Sequence, residues 1–225
     1  MADLSPTRVE ALWAESRDLL DRLADRTWSQ DTYIAGSAAL ALYLDHRPVR
    51  DIDLMAPANR LTGPERRDLL ADLLEVDDGF RVETARDGFL YARSGSGVGL
   101  KLFHYPYPLI AAEGEVFGLP VASTLDLGLM KIAAIISRGT RRDFVDLYLL
   151  CREIPLDELL DRSTDKFGHV RDFRLQALKG LADLSLVDGE PMPNLNREVD
   201  WVDVERWIGD QVRESGRRSV GLEGD

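Results

Sequence analysis

Two short segments of the chain carry side chains suited to binding a metal-bound triphosphate. Gly36-Ser37 precedes a run of helix-forming residues, and Asp51-Ile52-Asp53 follows that run. A glycine lets the backbone approach a phosphate, a serine hydroxyl can donate to it, and the first amides of the next helix are free donors. Aspartates at positions i and i+2 of a strand point to one side. They offer the carboxylate oxygens that Mg²⁺ prefers, so the two segments together indicate phosphate and metal chemistry.

Each segment alone also has an ordinary structural explanation. A Gly-Ser pair before a helix is often a capped turn, and an Asp-x-Asp strand is often a solvent-facing edge. A structural role must, however, account for two like charges on one face of a short strand, where they repel each other. The order of the segments, with a helix-sized gap between them, favours a functional site.

The surrounding pattern predicts the elements that position these residues. Residues 32–35 are β-prone, residues 38–44 are strong helix formers, and residues 49–55 suggest a strand. An amphipathic helix is expected to begin at Ser5-Pro6 and to continue through Leu23. Further elements are a helix over 63–76, strands over 80–83, 89–93 and 98–104, and helices over 123–137 and 140–151.

The predicted fold class is α/β (α+β), with a small mixed sheet flanked by helices. We expect a core domain over residues 1–122 and a helical C-terminal part over residues 123–225, packed on that core. With 225 residues and 44% apolar composition, the chain can bury a hydrophobic core of this kind.

Composition excludes several classes of protein. The net charge of -12 argues against a broadly basic surface that grips nucleic acid. The single cysteine, Cys151, excludes an internal disulfide, and the separated histidines give no support to a zinc site. No segment has the pattern of a signal peptide or a membrane span, so a cytoplasmic protein without membrane contact is expected.

A second polar group is predicted on the helices after residue 123. Lys131 lies among apolar residues, so its ammonium is expected either to meet an anion or to extend along the helix surface to water. Asp143 and Asp146 share one helix face and need a nearby cation, for which Lys131, Arg138 and Arg142 are candidates. Asp143 could equally cap its helix or pair with an arginine.

These blocks, taken as a set, resemble a known family. The chain resembles the DNA polymerase beta-like nucleotidyltransferase superfamily and, more narrowly, the AbiEii/AbiGii-type nucleotidyltransferases, which are the toxin halves of abortive-infection toxin-antitoxin pairs. The matching residues are Tyr33 to Leu42, Arg50 to Leu54, Lys131 with Ala133 to Ile135, Arg138-Gly139, and Arg142 to Tyr148.

The resemblance implies a nucleotidyltransferase-like core and an enzyme that moves a nucleoside monophosphate from an NTP onto an acceptor. Asp51 and Asp53 would hold Mg²⁺, while Gly36, Ser37, Lys131 and Arg138 would bind the nucleotide. Asp143 or Asp146 would complete the catalytic group. The implied acceptor is RNA, in particular tRNA, and the implied partner is an antitoxin protein.

One departure from the superfamily pattern leaves the general base unassigned. Many superfamily members carry a third carboxylate on a later strand, but the segment Gly99 to His104 contains no acid and has Lys101 in the corresponding neighbourhood. Either Asp143 or Asp146 supplies the charge, or the acceptor is activated without a third carboxylate, or the protein binds nucleotide with little turnover. A transferase acting on a small molecule or a protein hydroxyl is the remaining alternative.

Overall fold

The computed structural model describes residues 5–219 of the chain. The chain divides into two compact units that meet in sequence between Ser123 and Thr124. Within residues 5–219 the strands lie before this boundary, and the elements after it are helices. The α/β class with a mixed sheet and flanking helices, which the sequence predicted, is confirmed.

The sheet of the N-terminal unit is mixed. Its strands are β1 (Tyr33–Ala35), β2 (Ile52–Ala56), β3 (Arg81–Arg86), β4 (Phe89–Arg93), β5 (Gly99–His104), β6 (Ala112–Val116) and β7 (Leu119–Ala122). Within residues 5–219 these seven strands are ordered β3-β4-β5-β2-β1-β7-β6. Strand β2 runs antiparallel to β1 and parallel to β5, which places the Asp-x-Asp segment near the middle of the sheet.

Three α-helices accompany this sheet: α1 (Ala14–Ala24), α2 (Gly36–Leu44) and α3 (Gly63–Val76). Helix α2 is built from alanine, leucine and tyrosine after its first two residues, and residues 38–44 are buried. Helix α3 begins with a capping box between Thr62 and Glu65, and its buried residues are Leu69, Leu73 and Val76. The buried α2 and the buried strands β1 and β2 make a rigid support for the segments at their ends.

The C-terminal unit contains α4 (Thr124–Ser137), α5 (Arg141–Leu150), α6 (Leu156–Asp161), α7 (Ser163–Phe167), α8 (Phe173–Ala182) and α9 (Trp201–Ser219). Its interior includes ion pairs as well as apolar side chains. The Lys166 ammonium lies 2.7 Å from a carboxylate oxygen of Asp126, and both side chains are fully buried. Because an isolated buried charge is costly, each of these two groups requires the other.

Two features of the N-terminal unit differ from the prediction. The first α-helix begins at Ala14, because Leu12 pairs with Val49 in an isolated β-bridge and the Trp13 amide donates to the Val49 carbonyl. The hairpin of β6 and β7 was not predicted. Among the helices within residues 5–219, none is both long and apolar enough to cross a bilayer.

Candidate functional site

The Gly36 backbone lies directly against Asp53. Strands β1 and β2 pair Ala35 with Asp53, and the chain turns into α2 at Gly36 with φ +60°. A Cβ atom at Gly36 would come within 2.3 Å of Asp53 Oδ2. Since any larger residue would collide with the carboxylate and strain the backbone, only glycine fits this bend. The glycine-serine bend and the second aspartate are therefore neighbours, as the sequence analysis required of a site.

Arg47 supports the other residue of the bend. This largely buried arginine donates from Nη2 to Ser37 Oγ at 2.6 Å. The contact fixes the serine hydroxyl and brings positive charge to the start of α2, where helix amides already favour anions. Sequence reasoning missed Arg47, because nothing in the local pattern distinguishes it from an ordinary arginine after a helix. Its burial next to a Gly-Ser bend is the signal that the fold supplies.

Asp51 and Asp53 meet at a shared cation. Lys101 Nζ lies 3.0 Å from Asp51 Oδ2 and 3.8 Å from Asp53 Oδ1. The Asp51 side chain is 37% exposed and that of Asp53 is 19% exposed, so both carboxylates retain access to solvent. The prediction that the two side chains share one face agrees with this geometry. The lysine between them offsets part of the repulsion between their charges.

The Asp51 carboxylate has a second donor on β5. The Gly99 amide donates to Asp51 Oδ1 at 3.3 Å. A Cβ at Gly99 would lie 2.6 Å from that same oxygen, so the absence of a side chain makes room for the carboxylate. Asp51 precedes β2 rather than lying within it, and these β5 contacts hold it in place beside Asp53.

Lys101 carries a positive charge at neutral pH. Burial by itself lowers the pKa of its ammonium, but the nearby Asp53 and Asp51 carboxylates outweigh burial and raise the pKa above its usual value. The ammonium also lies 5.3 Å from the centroid of the Tyr91 ring on β4, where a cation-π contact is favourable. Lys101 is thus a fixed cation of the site.

The donor set fits a divalent cation of the magnesium type. Asp51 and Asp53 present hard carboxylate oxygens, and the glycine at position 36 lets Asp53 Oδ2 lie directly against the backbone of the bend. Mg²⁺ is commonly held by one or two carboxylates, with substrate phosphates and water completing its shell. No group of three or more His, Cys, Asp or Glu residues suited to a metal occurs within residues 5–219, so further ligands would come from phosphate and water.

The remaining predicted site residues lie together in the C-terminal unit. Lys131 Nζ on α4 lies 3.1 Å from Asp143 Oδ1 and 2.7 Å from Asp146 Oδ2, both on α5. Arg138 reaches Asp143 with two hydrogen bonds, of 2.7 and 3.2 Å. The side chains of Asp143 and Asp146 are 2% and 0% exposed, and that of Lys131 is 9% exposed. The ammonium is buried with two carboxylates and does not extend to water.

Asp143 also caps its own helix. Its carboxylate accepts hydrogen bonds from the Thr140 hydroxyl and amide, and the Thr140 hydroxyl accepts from the Asp143 amide, which completes a capping box. Burial alone would raise the pKa of Asp143, but Lys131, Thr140 and Arg138 together lower the pKa below its usual value. The capping and arginine-pairing alternative raised from the sequence is therefore what this side chain does.

The lowered pKa of Asp143 predicts an acid-dependent stability. A carboxyl whose pKa is lower in the folded state stabilises that state above its ordinary pKa, and this contribution disappears as pH falls through the native pKa. We expect Asp143→Asn to be less stable than the native chain near neutral pH, with the difference narrowing between about pH 5 and about pH 3. Urea unfolding at a series of pH values measures both free energies. A difference that stays constant over this interval would contradict the prediction.

Part of the chain matches a family of known proteins. The model of the AbiEii family, described as a nucleotidyl transferase AbiEii toxin of a type IV toxin-antitoxin system, matches residues 101–206. An uncharacterised protein of Aquifex aeolicus is 27% identical over 214 residues, covering 92% of this chain and 98% of the relative.

Two solved structures from Helicobacter pylori share the fold. One is of a protein proposed to be a nucleotidyltransferase, with a TM-score of 0.53 and 17% identity over 93% of this chain and 95% of the other. The second, JHP933, has a TM-score of 0.53 and 16% identity over 93% of this chain and 98% of the other.

The matched residues 101–206 contain Lys131, Arg138, Asp143 and Asp146, whereas Gly36, Ser37, Asp51 and Asp53 lie before them. The resemblance stated from the sequence is confirmed over residues 101–206, which match the AbiEii family of nucleotidyl transferase toxins.

Proposed function

We propose that this protein transfers a nucleoside monophosphate from an NTP to an RNA acceptor, in particular tRNA, in a magnesium-dependent reaction, and that it acts as the toxin of a toxin-antitoxin pair in the cytoplasm. The observation that carries the proposal is the packing of the Gly36 backbone against Asp53, with Asp51 beside it. This packing supports the proposal, because it brings the Gly36-Ser37 bend next to the two carboxylates that we propose hold the metal.

The residues around the bend have distinct proposed roles. Asp51 and Asp53 hold Mg²⁺, which when bound neutralises triphosphate charge and polarises the phosphorus that reacts. Gly36 lets the backbone approach the phosphates, and Ser37, held by Arg47, donates a hydrogen bond to them. Phosphoryl transfer depends chiefly on positioning and charge stabilisation, and these are what the four residues supply.

The reaction is a displacement at the α-phosphorus. The acceptor oxygen forms a bond to that phosphorus, the bond to the bridging oxygen breaks, and pyrophosphate leaves. Strand β5 provides Lys101 rather than an acid at the position opposite Asp53, so no third carboxylate accepts the acceptor's proton from that strand. Asp143 and Asp146 remain the candidates named from the sequence for the catalytic carboxylate, and Lys131 and Arg138 for phosphate contacts.

The acidic composition of the chain is also compatible with an acceptor other than RNA. A net charge of -12 disfavours a long RNA unless a local basic surface receives it, and a small molecule or a protein hydroxyl has no such requirement. The same negative charge suits a basic antitoxin surface, which is the partner that the proposed toxin role requires.

A labelling assay tests the proposal directly. The purified protein is incubated with each of the four NTPs labelled at the α-phosphate, with total RNA or with protein alone, in magnesium or in EDTA. We expect label on RNA from a preferred NTP in magnesium, and none in EDTA. Label on protein would favour the second acceptor class, and an absence of transfer under every condition would contradict the enzymatic proposal.

A further inference from the structure

Lys101 brings a positive charge into the candidate metal site, beside Asp51 and Asp53. Strands β2 and β5 run parallel, and their register sets Lys101 directly opposite Asp53. On the other side of Lys101, the antiparallel strand β4 places Tyr91 opposite it. The lysine is thus held in the middle of three paired strands, with a side chain that is only 28% exposed.

The negative charge of the site is small for binding a pair of divalent metal ions. Asp51 and Asp53 contribute two negative charges and Lys101 contributes one positive charge, so the three groups carry a net charge of -1. An acid in place of Lys101 would give -3. Two-metal sites hold their ions about 3.5–4 Å apart between shared anionic ligands. Here the space between the two carboxylates is occupied by an ammonium.

An ammonium cannot substitute for a ligand in such a site. It has three donors and no lone pair, so it binds carboxylates but repels a nearby metal ion. The Lys101 ammonium lies 3.0 Å from Asp51 and 3.8 Å from Asp53, so it would repel a second metal ion that shared both carboxylates. The second oxygen of each carboxylate has a different neighbour: Asp51 Oδ1 accepts from the Gly99 amide, and Asp53 Oδ2 lies against Gly36.

We propose that this site binds one divalent cation and that Lys101 takes the place of a second, as a cation covalently attached to the protein. The inference rests on the proposed function, because it assumes that Asp51 and Asp53 hold the metal. Lys101 acts by positioning the carboxylates and by setting the charge of the site. It makes part of that charge independent of the magnesium concentration.

Counting bound Mn²⁺ tests the inference without measuring activity. Full-length protein is titrated with Mn²⁺ and followed by electron paramagnetic resonance, with uncleavable α,β-imido triphosphates of the four nucleosides present and the analogue alone as the blank. We expect one Mn²⁺ per chain in the native protein and in Lys101→Arg, and two in Lys101→Asp. Two ions in the native protein, or one in a folded Lys101→Asp variant, would overturn the inference.

A second variant keeps the test decisive if Lys101→Asp does not fold. Lys101→Met removes the charge at similar size, and we expect it to bind the first Mn²⁺ about tenfold more tightly because the repulsion is gone. Unchanged or weaker binding would overturn the inference. Asp53→Asn separates the two proposals. If the native protein binds two Mn²⁺ ions and Asp53→Asn binds neither, the single-ion inference is contradicted and the proposed function is not. Mn²⁺ binding unaffected by Asp53→Asn contradicts the proposed function and the Lys101 inference together.

Discussion

Asp53→Asn is expected to lower kcat/KM for nucleotide transfer on the order of 10³-fold or more, the scale that accompanies loss of a preorganised charge-stabilising group in phosphoryl and acyl transfer. Asparagine preserves the shape of the side chain next to Gly36 but has no charge with which to hold a dication. Asp51→Asn should produce a loss in the same direction. The measurement is the rate of label transfer from the preferred NTP under saturating magnesium.

Asp78→Asn is the matched control for this prediction. Asp78 belongs to the turn that precedes β3, its side chain is exposed, and the substitution makes the same chemical change. Its transfer rate should remain within about twofold of the native rate, since surface substitutions of this kind have small effects. Circular dichroism and thermal unfolding establish that the Asp53 variant is folded. An Asp53→Asn protein that is folded and keeps more than about a tenth of native activity would exclude the aspartate as a metal ligand.

Local chemistry made the N-terminal site predictable. Gly36, Asp51 and Asp53 lie within 18 positions of one another, since the segment runs from residue 36 to residue 53. Such a segment, folded as a short strand, a tight turn, a helix and a returning strand, has few possible arrangements. The spacing therefore predicted that Gly36 and the two aspartates are neighbours. The contact between Gly36 and Asp53 follows from the pairing of β1 with β2.

Contacts that form only in the complete fold could not be predicted from the local sequence pattern. Lys166 and Asp126 are 40 residues apart, and nothing in either segment indicates that their side chains meet. Arg47 is only ten residues from Ser37, but it was missed because its role depends on which side chain faces it after folding. Only the complete fold identifies these pairs, because each is stabilised by burial that several separate elements create.

The missed hairpin has a different cause. Strand β6 has the sequence Ala-Glu-Gly-Glu-Val, in which glutamate alternates with alanine, glycine and valine, but Val116 is its single buried residue, so the pattern is too weak to indicate a strand. Its partner β7 contains Pro120, which is unusual inside a strand. The turn between them places Phe117 and Gly118 at positive φ, a conformation that phenylalanine rarely adopts. Pairing with β1 stabilises β7 despite this weak local preference.

The helical unit poses the converse problem, because sequence reasoning named the right residues without establishing what they do. Lys131, Arg138, Asp143 and Asp146 were grouped from spacing and from the family resemblance, and they do lie together. Their mutual pairing shows that each charge has a structural use. The role of Lys131 as a phosphate ligand stays a prediction, and stability measurements can separate it from the structural role.

Lys131→Met is expected to destabilise the protein by about 3–5 kcal/mol, which is the usual consequence of removing one partner from a buried ion pair. The substitution leaves the carboxylates of Asp143 and Asp146 in an interior where their side chains are 2% and 0% exposed, without the ammonium that neutralises them. Asp143 keeps its contacts with Arg138 and Thr140 in this variant. Urea unfolding measures the difference, with Lys179→Met on the exposed face of α8 as the control.

The double variant Lys131→Met with Asp146→Asn decides between the two roles. If the lysine chiefly neutralises Asp146, removing both charges should recover part of the lost stability, and the two substitutions should be strongly non-additive. If Lys131 instead binds phosphate, Lys131→Met should reduce transfer while leaving the free energy of unfolding nearly unchanged. If Lys131→Met greatly lowers the stability and Asp146→Asn partly reverses that effect, Lys131 has a structural role in the helical unit. The positive charge that neutralises the triphosphate would then have to come from the N-terminal unit. There, Arg47 and Lys101 lie beside the predicted phosphate and metal positions.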